Sequence, residues 1–535
     1  MSSANRSNVL AIGIDAAEGT FVRQLIEQGG MPALGGLLKE GRWLRVDSPA
    51  HIGSGAVWPT FMTGVEPATH GMYSEWSWVP EKMGLTRYHG RNLTPFWKSL
   101  VQQNISLGIF DVPFALPVEV SRGFEVCEWW AHDATGAGLK AGPNEILSLL
   151  KQAPAHPLSA NRFADTTPGH LSNLKELTAA CIEGVRLRGQ LAQRLICKTK
   201  PQLTVMVFPE IHHASHQMWH TIEPDHEFYG GCRPGGQRTL KPLLKEVYRA
   251  VDEQIAGLIK LAGSDATIMV FALHGMRAAV GFPAFLGPLL CERGFSRLES
   301  WTSQTWNRRA LSLLAATKRN TPDGLKRLYY KLTPSTTTHK LARPTMLPVY
   351  DWKTTRAFSL PTDQYGWVRV NLAGREAQGI VRSDQYEETC AQLETMLRAL
   401  TTEGGAPLVR NIVRTAASAD AIGNPLPDLV VHWEDAAFAS PLIIKDSKVR
   451  AEPVGKKSTG QHASEGFCIY RGDHDRDPGA VIAAKDLNRL MTAGPYKRLI
   501  RTAGASPPSS PRDYLTSPFI HALKPFHQWI GVNSD

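Results

Sequence analysis

Cysteine is scarce in this 535-residue chain: Cys127, Cys181, Cys197, Cys232, Cys291, Cys390 and Cys468 are scattered, with no CxxC pair among the seven. Such an odd, dispersed set excludes a disulfide framework and a cysteine-rich zinc site, and it fits a reducing compartment. Long apolar runs are also missing. None approaches the roughly 18 residues that a bilayer crossing needs, so no transmembrane segment is expected. The N-terminal stretch MSSANRSNVLAIGID has one Arg and then a short apolar run into Asp15. A secretory signal would need a longer apolar stretch and a small-residue cleavage site. Residues 9–14 therefore read as a buried strand, and the expected location is cytoplasmic. No internal repeat is present.

Negative charge is in short supply, with 49 Asp/Glu against 59 Lys/Arg and a formal net charge of +10. Most of that excess lies between Asn307 and Arg343, where nine Lys/Arg face Asp323 alone, a local +8. Two readings stand side by side: a basic cap that attracts an anionic substrate or surface, or a solvated helical insert. No RNA- or DNA-binding motif accompanies it, so nucleic acid is not an expected partner.

What is present is a regular alternation. Short apolar runs, VLAIGID (9–15), LGIFDVP (107–113), LTVMVFPEI (203–211), TIMVFALHG (267–275) and DLVVHW (428–433), are separated by segments of helical spacing such as LLKEVYRAVDEQIAGLIKLA (243–262). Continuous apolar strands between amphipathic helices predict a three-layer α/β/α sandwich with a mostly parallel sheet. The alternation breaks at about 285–350, which reads as a basic, α-rich cap inserted into a main domain of 1–284 and 351–500. Residues 501–535 read as a C-terminal tail. In open α/β sheets, ligands gather at the carboxyl ends of strands. The polar residues ending these runs are Asp15, the Glu210–His216 cluster and His274.

Histidine placement carries the chemistry. Residues 210–220 read EIHHASHQMWH, in which His212 and His216 are spaced to share one face of a helix. Glu210 and His212, two apart at a strand end, are also placed to point together, which makes Glu210 a further candidate ligand. Neutral imidazoles with a carboxylate are the usual ligands of zinc and its neighbours, whereas the plainer reading is a group of surface histidines. In SPAHIGSGAVWPTFMTGVEPATHG (48–71), Ser54 precedes a small-residue turn and a helix start. It is either a helix N-cap or a nucleophile, and a serine nucleophile needs a base or a metal to activate it. Nothing local offers a base, so a metal is the natural activator. Asp428 reads as the end of a loop, and Arg375 with Glu376 as a structural ion pair.

Asp15 closing the first strand, Ser54 ten residues before Gly64, THG (69–71), the His212–His216 spacing, ALHGM (272–276), RVNLAGREAQGIV (369–381), PDLVVHW (427–433) and TGQHASEGF (459–467) occur in one order over some 450 residues. That order resembles the type I phosphodiesterase/nucleotide pyrophosphatase branch of the alkaline phosphatase superfamily. The resemblance implies an alkaline-phosphatase-like fold and hydrolysis of phosphate mono- or diesters, nucleotide-like ones among them. It implies two metal ions, usually zinc, that clamp the reacting group. By position, Asp15, Ser54 and His274 match the residues at one metal, with Ser54 as the nucleophile that forms a phospho-seryl intermediate. His212, His216 and His462 match the ligands of the other metal.

Departures from the family pattern bear on the metal count. Leu273 stands where the family has Asp before His-Gly, His212 stands where it has Asp, and Ala16 replaces the usual Gly. Two fewer carboxylates leave one or two ions open, with Glu210 as a replacement ligand if its side chain turns inward. The GAVW after Ser54 lacks the modification motif of sulfatases. Two other functions remain consistent with these residues: a binding protein of the same fold with an impaired metal site, or a phosphoryl or sulfuryl transferase.

Overall fold

A computed structural model describes residues 8–492 apart from 88–92, 132–134, 136, 160–170, 224–236, 281–283, 301–345, 362–363, 439–440, 452–457 and 473–479. The basic segment 307–343 and the tail 501–535 lie outside the described residues.

The main sheet has nine strands in the order Val481–Ala483, Arg42–Asp47, Glu465–Arg471, Thr267–Ala272, Val9–Ile14, Leu203–Phe208, Leu107–Phe110, Gly123–Cys127 and Lys140–Gly142. Five of the eight pairings are parallel; Glu465–Arg471 runs against both of its neighbours, and Lys140–Gly142 runs against Gly123–Cys127. The expected α/β/α sandwich is what forms.

The reason is visible in the central strand, buried at all six positions. Leu10, Ile12 and Ile14 point into one apolar cluster with the helices Leu171–Thr199 and Gln237–Ala262, while Val9 and Ala11 point into a second cluster on the opposite face. Both faces exclude water, so both take aliphatic side chains. Gly13 is required by close approach: a Cβ there would lie 2.5 Å from the Trp58 ring, which packs on the Val9 and Ala11 face of the sheet.

The strand motifs in 357–433 behave differently from the expectation that set PDLVVHW beside the parallel strands. Ala357–Leu360, Gly366–Val370, Leu429–Trp433 and Val409–Arg414 form a separate, antiparallel four-stranded sheet in that order. One face packs on the helices Leu286–Glu292 and Tyr386–Arg398. The other packs on Tyr73, Trp78 and Leu85, just downstream of Ser54. Arg375 joins Glu376 and Asp428, the latter at 2.7 Å, with all three side chains buried, so these charges hold this sheet to its flanking turn.

Candidate metal centre

Three neighbouring parallel strands, Thr267–Ala272, Val9–Ile14 and Leu203–Phe208, end on the same side of the sheet. Their ends deliver His274, Asp15 and the helix Glu210–Met218, which carries His212 and His216 one turn apart. His462 arrives from a two-stranded ribbon, in which Met276 of Gly275–Ala278 faces His462 of Gly460–Ala463. Asp15, His212, His274 and His462 are all at least nine-tenths buried.

Three imidazole nitrogens converge. Nε2 of His212 lies 3.0 Å from Nε2 of His216 and 2.8 Å from Nε2 of His462, and the last two are 3.1 Å apart. Their outer nitrogens set the tautomers. His216 Nδ1 is 2.8 Å from the Gly460 carbonyl, which can only accept, so Nδ1 carries the proton and Nε2 presents its lone pair inward. His212 Nδ1 donates to Asp15 Oδ2 at 2.6 Å, leaving its Nε2 in the same state. Lone pairs facing one another at such distances repel unless a cation stands between them.

Asp15 holds this arrangement from behind. Its Oδ1 accepts the Trp58 Nε1–H at 2.9 Å and lies 3.8 Å from His274 Nε2. Burial pushes its carboxyl up to about 6, opposed by the Trp58 hydrogen bond. A positive charge lodged among the imidazoles would oppose that rise.

Ser54 opens a 3-10 turn, Ser54–Ala56, that runs into the helix Val57–Thr63. Neither helical start has a side-chain cap bond, so the N-cap reading of Ser54 is not what the fold uses. Trp58, one helical turn on, ties this run to Asp15. The turn ahead of Ser54 is gripped by the second sheet: His432 Nε2–H donates to the His51 carbonyl at 2.7 Å, and Trp367 Nε1–H to the Ile52 carbonyl at 2.8 Å. A Cβ on Gly53 would collide with the Tyr73 carbonyl and lie 2.9 Å from the Trp367 ring.

Glu210 does not join the cluster. It is helical like His212, and two residues along a helix point to nearly opposite sides. Its carboxylate bonds Arg188 Nε at 2.8 Å and His156 Nε2 at 3.1 Å, fully buried. Asp111 accepts from the same guanidinium at 2.7 Å.

Residues 9–283, more than half of the chain, match the family type I phosphodiesterase / nucleotide pyrophosphatase. The chain belongs to that family. It is a phosphoric ester hydrolase. No curated protein matches its sequence. Among solved structures, phosphonoacetate hydrolase from Sinorhizobium meliloti 1021 in complex with phosphonoformate is similar over 93% of this chain and 96% of that one, at 13% identity and a TM-score of 0.48. Human ectonucleotide pyrophosphatase / phosphodiesterase 5 covers 91% of this chain and 94% of its own, at 9% identity and a TM-score of 0.41.

Type I phosphodiesterases are metal-dependent hydrolases, and the donors present fit a cation. Nitrogens about 2.0–2.1 Å from a tetrahedral zinc lie roughly 3.3 Å from each other. The three observed separations, 2.8 to 3.1 Å, are close to that value and need only a small outward movement. Two groups of metal-capable side chains occur among the described residues: His212, His216 and His462, and Asp15, His212 and His274. The motifs did not single out Trp58, Trp367 or His432, which bond Asp15, the Ile52 carbonyl and the His51 carbonyl. Two of them left a signal, Trp58 in its four-residue spacing from Ser54 and His432 in its place within PDLVVHW.

Proposed function

We propose that this chain hydrolyses phosphate mono- or diesters with Ser54 as nucleophile, in a site where His212, His216 and His462 hold a divalent cation, zinc by preference. The convergence of three imidazole Nε2 atoms, two with lone pairs set inward by their outer partners, carries this reading. When bound, the cation supplies positive charge that lowers the pKa of a hydroxyl or water and offsets charge building on the phosphoryl oxygens. The remaining work falls to the protein. Ser54 attacks phosphorus as the bond to the leaving oxygen breaks in line, and the serine proton passes to that oxygen or to solvent. Water then cleaves phospho-Ser54 and restores the hydroxyl. Asp15 keeps His212 in the tautomer that faces inward.

The proposed organisation is an α/β catalytic unit with the antiparallel-sheet unit inserted between the two strands of the His462 ribbon. The described cysteines are all free. Together with the lack of any described helix long and apolar enough to cross a membrane, they support a cytoplasmic assignment.

The test is a panel of aryl phosphate, phosphodiester, phosphonate and sulfate esters, assayed before and after chelation and again after zinc is restored. Turnover of phosphate esters that is lost and regained in step with zinc is expected. Turnover confined to sulfate esters, or insensitive to a chelator that removes all bound metal, would refute the proposal.

The grip on residues 51–53 gives a second expected result. Gly53→Ala must push the turn off Tyr73 or Trp367, an overpacking cost of about 1–3 kcal/mol. A shift near 1 Å in a reacting group costs on the order of 100-fold in rate. A fall in kcat of about 10–100-fold, with cation content unchanged, is therefore expected. Kinetics within twofold of wild type would show that the grip does not position Ser54.

A further inference from the structure

We infer that the chain binds one cation where its family's architecture provides for two: the ion sits at His212, His216 and His462, and Asp15 acts on it through His212 instead of holding an ion of its own. The inference rests on the metal-dependent reading above and sharpens its stoichiometry.

The second group of donors does not make an independent site. Asp15, His212 and His274 share His212 with the first group. One ring nitrogen of His212 faces the other two imidazoles and its opposite nitrogen is 2.6 Å from Asp15. Serving two ions at once would require His212 to lose both ring protons and act as a bridging imidazolate. Without that, a second ion has Asp15 and His274 alone from this group. Asp15 is already engaged at both oxygens, by Trp58 at 2.9 Å and by His212 at 2.6 Å.

Leu273 removes the missing ligand. Gly13 pairs with Phe271 in the parallel register of Val9–Ile14 and Thr267–Ala272, so Asp15 and Leu273 end neighbouring strands one step further on. Phe271 and Leu273 share the apolar cluster that contains Trp58, the residue bonded to Asp15. A carboxylate at 273 would therefore stand beside Asp15 on the same face. The leucine there is 1% exposed and offers only carbon.

Charge points the same way. Two divalent ions would bring +4 into a pocket where Asp15 is the one carboxylate in either group of donors, and a deprotonated Ser54 would raise the compensation only to −2. Glu210 cannot help, because Arg188 and His156 hold it. Unbalanced charge of that size in a buried site is strongly disfavoured. One ion, three neutral imidazoles and a carboxylate behind one of them form the familiar carboxylate–histidine–metal chain.

Counting ions decides the matter. The full-length protein is stripped with chelator, reloaded with zinc or cobalt, dialysed, and measured by inductively coupled plasma mass spectrometry and by calorimetric titration. One ion per chain is expected. His462→Ala should fall close to none, whereas Asp15→Asn should keep a stoichiometry of one with affinity weakened about 10–100-fold. Leu273→Asp, checked for folding by circular dichroism, should rise toward two. Cobalt-loaded wild type gives a readout without any variant: the absorption and spin count of one isolated tetrahedral ion. Two ions per chain, one of them lost in Asp15→Asn, would overturn the inference while leaving the hydrolase reading intact. A spin-coupled cobalt pair would overturn it as well, by revealing the bridging imidazolate.

Discussion

Ser54→Ala is expected to abolish ester turnover, by at least about 10³-fold in kcat, while the bound cation stays at its wild-type level. The size follows from what is removed: a nucleophile that acts as a unit with its surroundings typically costs that much or more when deleted. The substitution takes away one oxygen atom from a half-buried residue whose hydroxyl caps neither helical start. Folding should therefore be unaffected, and a matching thermal melt separates lost chemistry from lost structure. Ser54→Thr keeps a hydroxyl and should retain part of the rate. Acid quenching of wild-type protein during turnover should trap phosphate on the peptide that contains Ser54, and the alanine variant should show none. Turnover in Ser54→Ala within a few-fold of wild type would end the covalent route and leave direct attack by water.

Much of the α/β frame was legible because parallel strands buried on both faces declare themselves as continuous aliphatic runs. Val9–Ile14, Leu203–Phe208 and Thr267–Ala272 were each recognisable, and their polar endings pointed to the site before any geometry was known. The same rule hid the second sheet. Leu429 and Val431 face one core and Val430 faces another, so Leu429–Trp433 shows no polar alternation to mark it as antiparallel. Hydropathy reports that a strand is covered, not which sheet covers it. His462 was reachable only through the family resemblance, because its strand pairs with a segment more than 180 residues away. Glu210 misled for a local reason: a strand end was assumed where the helix had already begun, and the change of period turned its side chain to the opposite side.

Arg188→Met is expected to be the most damaging substitution outside the donor cluster, at about 3–5 kcal/mol, because it leaves two buried carboxylates without their cation. Arg188 is fully buried in the helix Leu171–Thr199 and donates to Glu210 at 2.8 Å, Asp111 at 2.7 Å and the Trp130 carbonyl at 2.7 Å. Burial alone would raise the carboxyl of Glu210, but Arg188 and His156 bring it below its ordinary range, so it is charged and depends on them. Asp111 in turn accepts the Trp129 and Trp130 backbone N–H groups at 2.8 Å each. One guanidinium thus ties the ends of two strands to the first residue of the helix that presents His212 and His216. Lysine would not substitute, since a single ammonium cannot reproduce the three-way fork. Arg188→Met should therefore lower the melting temperature by several degrees and weaken cation binding, although Arg188 lies in neither donor group. Adding Asp111→Asn and Glu210→Gln to the same chain should recover much of the lost stability, because the cost lies in the stranded charges. A melting temperature for Arg188→Met within one degree of wild type would mean that solvent reaches those carboxylates, and that the helix start is held by packing alone.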